Sequence, residues 1–308
     1  MPKERAGTST SRLSATDFQR IAAALGNEEG GVDLMRRLQA ALVFPATSAP
    51  SAFAGPHELH LRLLGGLAIR IGDRWESGPP PMRGRRLIAY LALHKHAVAS
   101  REALMDLLWP GVPGGDAAHR LHIAASGARA YLRRALGGID ALACVTGGYS
   151  WNKEITVVTD VDSFLAAASS GRDALASARL LYSGELLSGD DADWIDPLRV
   201  RCAAVYTTVL ERLAEESMAQ GEHAQALSLG LELVAFDRAH EGASRLVMRC
   251  FAALGRRGRA LAEFEALRAH LRKHLGLEPT PETRQLIRTI LGDGASEPVA
   301  HELSNFKA

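Results

Sequence analysis

From His57 onward, apolar and polar side chains alternate with a period of two. Leu59, Leu61 and Leu63 are separated by His60 and Arg62; beyond Gly65-Gly66, the residues Leu67, Ile69 and Ile71 are separated by Ala68 and Arg70. Each run predicts a short strand with one buried face, and the glycine pair predicts the turn between them. Gly72-Asp73 closes the second strand and Trp75 is placed to open a third. Pro79-Pro80-Pro81 ends regular pairing, because proline has no N–H to give to a ladder. Past it the period lengthens to that of a helix, with Leu87, Ile88, Leu91 and Ala92 in one stripe that ends near His96. Ser100 is positioned to cap a second helix, Arg101 to Leu108, with Ala103, Leu104, Leu107 and Leu108 facing inward. Trp109-Pro110 ends it, since the residue before a proline is pushed out of the helical region.

A third helix is expected from Ala117 to Leu136, with Asp116 as its N-cap. Twenty residues rise about 30 Å, long enough to cross a major groove and still pack. Leu121, Ala124 or Ala125, Ala128, Leu132 and Ala135 fall near one face, while His119, Arg120, His122, Ser126, Arg129 and Arg133 fall off it. Arginines on an amphipathic helix often form only a solvated face, but such faces ordinarily mix signs for local pairing. Here Arg120, Arg129, Arg133 and Arg134 meet no acidic residue between Asp116 and Asp140. A short hairpin around Gly147-Gly148-Tyr149 follows. Strands, two helices, a basic helix and a hairpin, in that order, make a winged helix-turn-helix, which directs the question of function toward DNA.

Beyond Asp160 the pattern is almost wholly helical and it repeats. Gly221-Glu222-His223-Ala224-Gln225-Ala226-Leu227 realigns with Gly255-Arg256-Arg257-Gly258-Arg259-Ala260-Leu261 at an offset of 34 residues. At the same offset Leu213 meets Val247 and Leu233 meets Leu267. That period, with small residues at the helix crossing, marks tetratricopeptide-like helix pairs. Pro279 and Pro281 precede a last helix, Glu282 to Leu291. The fold class expected is therefore mainly α: an α+β winged helix over residues 57–158, then an all-α repeat module over residues 159–292. Residues 1–56 are read as a helical extension and linker, with helices near 16–25 and 32–43, and residues 293–308 as a disordered tail.

Composition narrows the function classes. Hydrophobic residues make up 47% and charged residues 23% of the chain, ordinary for a packed globular core. No run of apolar residues is long enough to span a membrane, and the first residues show no apolar core of the kind a secretory signal needs, so a cytoplasmic setting is expected. Cys144, Cys202 and Cys250 have no metal-type spacing and are expected as buried, reduced thiols. The net charge of +1 conceals an asymmetry: residues 57–158 carry thirteen Lys and Arg against eight Asp and Glu, the rest 23 against 27. His94 with His96, or His119 with His122, could begin a metal site, but no further ligand stands at a suggestive distance. Asp190, Asp191, Asp193 and Asp196 could bind a cation, although such a cluster more often caps the helix starting near Ile195 or Pro197. No nucleophile–base–acid set or P-loop is present. Neither an enzyme nor a cofactor or metal site is expected.

Several stretches together resemble one family. They are Leu63-Leu64-Gly65-Gly66-Leu67, Arg83-Gly84-Arg85-Arg86-Leu87, Ser100-Arg101-Glu102-Ala103-Leu104, Leu108-Trp109-Pro110, Arg120-Leu121-His122-Ile123 and Thr146-Gly147-Gly148-Tyr149. In the C-terminal half, Arg256-Arg257-Gly258-Arg259-Ala260-Leu261 and Leu275-Gly276-Leu277-Glu278-Pro279-Thr280-Pro281-Glu282 join them. They are similar to the Streptomyces antibiotic regulatory protein type of transcription factor, over roughly residues 58–291. The resemblance implies an OmpR-like winged helix followed by a bacterial transcriptional activation domain, contacting RNA polymerase or a second protomer. The chain departs from the pattern in its first 56 residues, in Gly127, which costs about 1 kcal/mol within a helix, and in a hairpin tip without arginine, where Lys153 is the nearest cation.

On this reading the chain is a sequence-specific regulator of transcription, an activator, acting on double-stranded DNA. Arg120 is the expected base reader, aimed at guanine, with His119, His122 and Ser126 beside it. Arg83, Arg85 and Arg86 at the start of the first helix, with Arg129, Arg133 and Arg134, are expected on phosphates. Gly147, Gly148 and Tyr149 form the wing, with Tyr149 bracing it against the DNA backbone. The alternative is a tetratricopeptide-type interaction or ligand-sensing protein whose winged helix has lost DNA binding.

Overall fold

The computed structural model describes residues 58–71, 73–76 and 82–292. The helices and linker expected before residue 57, and the tail expected after residue 292, lie outside these residues. Strands β1 (Glu58–Arg62), β2 (Ala68–Ile71) and β3 (Arg74–Glu76) form an antiparallel meander, with Trp75 opposite Arg70. Leu59 and Leu61 point to the core and Glu58, His60 and Arg62 do not, as alternation requires. Next come α1 (Met82–Leu93), the two-residue strand β4 (Ala99–Ser100), α2 (Arg101–Leu108) and α3 (Gly114–Ala135). Strands β5 (Leu142–Val145) and β6 (Gly148–Trp151) make the hairpin, and β7 (Thr156–Thr159) follows.

Two sheets result. β7 adds beside β1 and parallel to it, Glu58 opposite Thr156 and Leu61 opposite Thr159, giving the order β3-β2-β1-β7. The second sheet has the order β4-β6-β5. α1, α2 and α3 pack on one another around Leu87, Ile88, Leu91, Leu104, Leu108, Leu121, Ala128 and Leu132, all buried, and α3 touches both β2 and β5.

The rest of the described residues are mainly helical: α4 (Asp160–Ser169), α5 (Arg172–Leu181), a 3-10 turn (Asp193–Ile195), α6 (Asp196–Ala219), α7 (His223–Phe236), α8 (Glu241–Ala253), α9 (Arg257–Leu275) and α10 (Pro281–Leu291). The repeat has a direct structural counterpart. Gly221 and Gly255 hold φ of 75° and 72°, the left-handed region where a side chain is strained. Each lets the chain close the preceding helix with the same bond: Glu222 N donates to Ser217 O at 2.8 Å, and Arg256 N donates to Phe251 O at 2.7 Å. Donors and acceptors are both separated by the 34-residue period.

The two halves meet at the β1–β2 turn. Asp160, the first residue of α4, accepts Leu63 N at 2.8 Å on one carboxylate oxygen and Leu64 N at 3.0 Å on the other. Gly65 N donates to Glu185 O at 2.9 Å, Leu187 N to Leu63 O at 2.8 Å, and the Ser183 hydroxyl to Leu64 O at 2.6 Å. Burial pushes the Asp160 carboxyl up to about 6, against the lowering pull of its backbone donors.

Here the acidic cluster departs from its expected role. The N-cap of α6 is Ile195, with no side-chain cap. Asp190 and Asp191 instead grip Arg86 of α1, and Asp196 pairs with Arg199 at 3.0 Å. The reason is charge neutralisation: a guanidinium carried inward on α1 needs anionic partners, and this loop supplies them.

Candidate nucleic-acid interface

Local chemistry positions the three helices. The Ser100 hydroxyl accepts Ala103 N at 3.1 Å and so caps α2, as expected. Ala103 itself is exposed rather than inward, while Leu104 beside it is buried. α3 begins three residues before its expected start, at Gly114, with Pro113 as N-cap; Asp116 sits within the first turn, where its charge favours the helix N-terminus without capping it. Trp151 of β6 is buried and donates Nε1–H to Leu91 O at 2.8 Å, tying the hairpin to α1.

α3 turns its apolar side inward through Ala117, Leu121, Ala124, Ala125, Ala128, Tyr131 and Leu132. At about 100° per residue, the opposite side is centred on His119, Ile123, Ser126 and Ala130. All four are exposed. Arg120 lies toward one edge of this face, with Arg134 nearer its far end; Arg134 sits 5.3 Å over the Tyr131 ring. His122, Arg129 and Arg133 take the other edge. Arg129 Nε donates to Leu142 O at 3.2 Å, which identifies that edge as the one beside the hairpin. Arg133 Nε donates to Gly138 O at 3.0 Å.

The structure thus brings His119, Arg120, His122, Ser126, Arg129, Arg133 and Arg134 onto one accessible surface. It also adds Ile123, 56% exposed, which the sequence reading left unassigned. Helical spacing alone puts Ile123 opposite Ala125 and Leu121, and so could have found it.

The α1 arginines divide. Arg83 is half-buried, donating Nη1–H to Leu108 O at 2.7 Å with its guanidinium 5.9 Å over the Trp109 ring. Arg85 is half-buried, with no ion pair among the described residues. Arg86 is a correction: it is 7% exposed and its Nε donates to Asp190 at 2.7 Å. Burial works against its charge, but Asp190 and then Asp191 outweigh that and raise its pKa. It is an internal ion-pair partner and is not presented to a phosphate.

The wing differs in two respects from expectation. Tyr149 is 4% exposed, because β6 is the central strand of its sheet and turns that side chain inward. Tyr149 therefore supports the hairpin from within and cannot brace against DNA. Gly148 faces β4 so closely that an added Cβ would stand 2.1 Å from Ala99 O. Through that pairing Arg101, 43 positions before Cys144, comes beside the hairpin, its Nη2 3.6 Å from the Cys144 Sγ. Arg101 N also donates to Gly147 O at 2.9 Å. So an exposed arginine does stand at the wing, supplied by α2. A two-residue strand is too short to read from periodicity, so the sequence alone points to Lys153 as the nearest cation. Cys144 is exposed, unlike the buried Cys202 and Cys250, and all three are free thiols.

Comparison with known proteins places these observations. A family model described as the bacterial transcriptional activator domain matches residues 159–291. Regulatory protein AfsR of Streptomyces coelicolor is 30% identical over 252 residues, 77% of this chain and 24% of that protein. AfsR of Streptomyces griseus is 29% identical over 262 residues, 80% of this chain and 26% of that protein. The chain thus spans about a quarter of the length of these two relatives. Transcriptional regulator RedD of Streptomyces coelicolor is 30% identical over 275 residues, 83% of this chain and 76% of RedD. Among solved structures, Mycobacterium tuberculosis EmbR in complex with a low-affinity phosphopeptide has a similar fold. Its TM-score is 0.61 at 23% identity, over 76% of this chain and 65% of that one.

Proposed function

Since the chain belongs to the Streptomyces antibiotic regulatory protein family of transcriptional regulators, we propose that it binds duplex DNA with α3 in the major groove and activates transcription from the bound site. The observation that carries this is the outward face of α3: exposed, without a carboxylate from Ala117 to Ala135, and backed by a rigid apolar core. Arg83, Arg85, Arg129, Arg133 and Arg134 are assigned to phosphates, joined by Arg101 at the hairpin. Affinity from such contacts is electrostatic and carries no sequence information, which falls to the groove-facing residues.

We divide the molecule at residues 158 and 159 into a DNA-binding part and a helical activation part. The latter is assigned to contacts with RNA polymerase or a second protomer, in the cytoplasm where the DNA is. Among the described residues no helix is long and apolar enough to cross a membrane. The relatives are transcriptional regulators, and no catalytic role is proposed.

Selection of genomic fragments by the purified full-length chain tests the reading and finds the site together. The selected duplex should bind with a log-affinity slope against log salt of about −0.9 for each phosphate engaged. Arg120→Ala should weaken binding several-fold. A chain that selects no duplex, and for which DNA is no competitor, would instead use its winged helix as a protein-docking surface.

A further inference from the structure

The charge on α3 is distributed unevenly around the helix. Its outermost line, His119, Ser126 and Ala130, contains no arginine; Ile123 lies about 40° to one side of it and Arg133, near the far end, about 40° to the other, with Arg134, Arg129 and Arg120 farther out on the flanks. A helix laid into a groove meets base edges with its outermost strip and the two phosphate walls with its flanks. In the leading half of the helix the large side chain beside that line is Ile123, more than half exposed and flanked one turn away on either side by His119 and Ser126. Each other large apolar side chain of α3, Leu121, Tyr131 and Leu132, is buried. Among the described residues Ile123 joins neither apolar cluster, and a β-branched residue outside the core lends a helix no propensity.

We infer that Ile123 reads the methyl group of a thymine in the major groove, and that Arg120 serves a phosphate wall in place of a guanine. This rests on the DNA-binding reading and refines it: the bound half-site has a thymine where the centre of α3 meets the bases. The thymine C5-methyl is the one apolar feature of the major-groove edge and is matched by apolar side chains. The neighbours suit this placement. Ala130 two turns on is small enough to let the helix approach, and His119 and Ser126 supply the polar contacts around the methyl.

The test uses the full-length chain and the tightest duplex recovered by selection. Each thymine is replaced in turn by deoxyuridine, which deletes only the methyl. Wild type should lose about four-fold in affinity at one position, the worth of one buried methyl group. Ile123→Ala should bind the thymine duplex about four-fold more weakly and be indifferent to deoxyuridine there, while Ile123→Val keeps the sensitivity. Arg120→Ala should lower the salt slope by about one phosphate without changing which base is preferred. Duplex binding by wild type with no uridine-sensitive position shared with Ile123 overturns the assignment and leaves the DNA-binding reading intact. So does a change of base preference at a G·C pair in Arg120→Ala, which would return Arg120 to guanine. Failure of wild type to select any duplex removes both.

Discussion

Arg86 and Asp190 are 104 positions apart and joined at 2.7 Å, Nε to Oδ1, with both side chains largely withdrawn from solvent. Removing the cation strands a carboxylate at the junction of the two halves. Arg86→Ala is expected to lower unfolding stability by about 3 kcal/mol, whereas Arg86→Ala with Asp190→Ala should recover part of that loss. Asp191 is exposed on its side chain, and Asp191→Ala should matter little. Urea unfolding midpoints of the four proteins measure this. The DNA salt slope of Arg86→Lys should equal that of wild type, since residue 86 faces the junction.

Asp160 gives the junction a pH dependence. Its folded value of about 6 lies above the ordinary 3.8, so the native state holds the proton more tightly than the unfolded chain. The stability linked to this group is fully present below about pH 3.8 and is lost as pH rises through about 6. Asn cannot titrate, and it offers one acceptor where Leu63 N and Leu64 N each have a carboxylate oxygen. Asp160→Asn is therefore expected to be less stable, and the advantage of wild type over it should widen as pH falls from about 7.5 to 4.5. A gap that narrows on acidification would show that the two backbone donors, not burial, dominate the carboxyl.

The hairpin contains two adjacent glycines with different reasons for being glycine. A Cβ on Gly148 would collide with the backbone of Ala99, while one on Gly147 would meet nothing within 4 Å. Gly148→Ala is expected to destabilise by about 3 kcal/mol and to raise hydrogen exchange in β4 and β6. Gly147→Ala should cost about 1 kcal/mol, from its positive φ alone.

Glu232 sits between Arg179 and the Tyr206 hydroxyl, accepting Arg179 Nε–H at 3.1 Å and the Tyr206 O–H on its other oxygen. Burial and then the Glu232 charge push the Tyr206 hydroxyl well above its ordinary value. Glu232→Ala would leave a largely buried guanidinium and a buried phenol unsatisfied, at a cost of about 3 kcal/mol by thermal or chemical unfolding. Glu232→Gln, which keeps one acceptor, should recover part of the loss.

Periodicity made most of the architecture readable. Alternation at Leu59 and Leu61 gave the first strand, and the 34-residue offset between Gly221 and Gly255 gave the helical stack. Both are repeated physical demands, a pleat and a turn, imprinted many times over. What escaped was set by partners distant in the chain. Arg86 reads as one more cation in a basic cluster until Asp190 folds onto it. Tyr149 reads as an exposed wing residue until β4 pairs with β6 and makes that strand central. β7 has apolar residues too few to distinguish an edge strand from a loop, so its parallel pairing with β1 was illegible. The outward face of α3 was legible because helical spacing is local, apart from Ile123, which the sequence reading placed on neither face.

The turn from Leu63 to Gly65 is grasped by Asp160, Ser183, Glu185 and Leu187, four residues of the helical half closing on three of the sheet. Such a grip leaves no hinge at residue 159, even though the chain crosses from one half to the other there. If α3 seats in a groove as proposed, the helical half is consequently aimed in one compass direction around the duplex. Whatever that half engages is met at a set angular phase around the double helix, so half a turn of added spacer disrupts the engagement and a whole turn restores it.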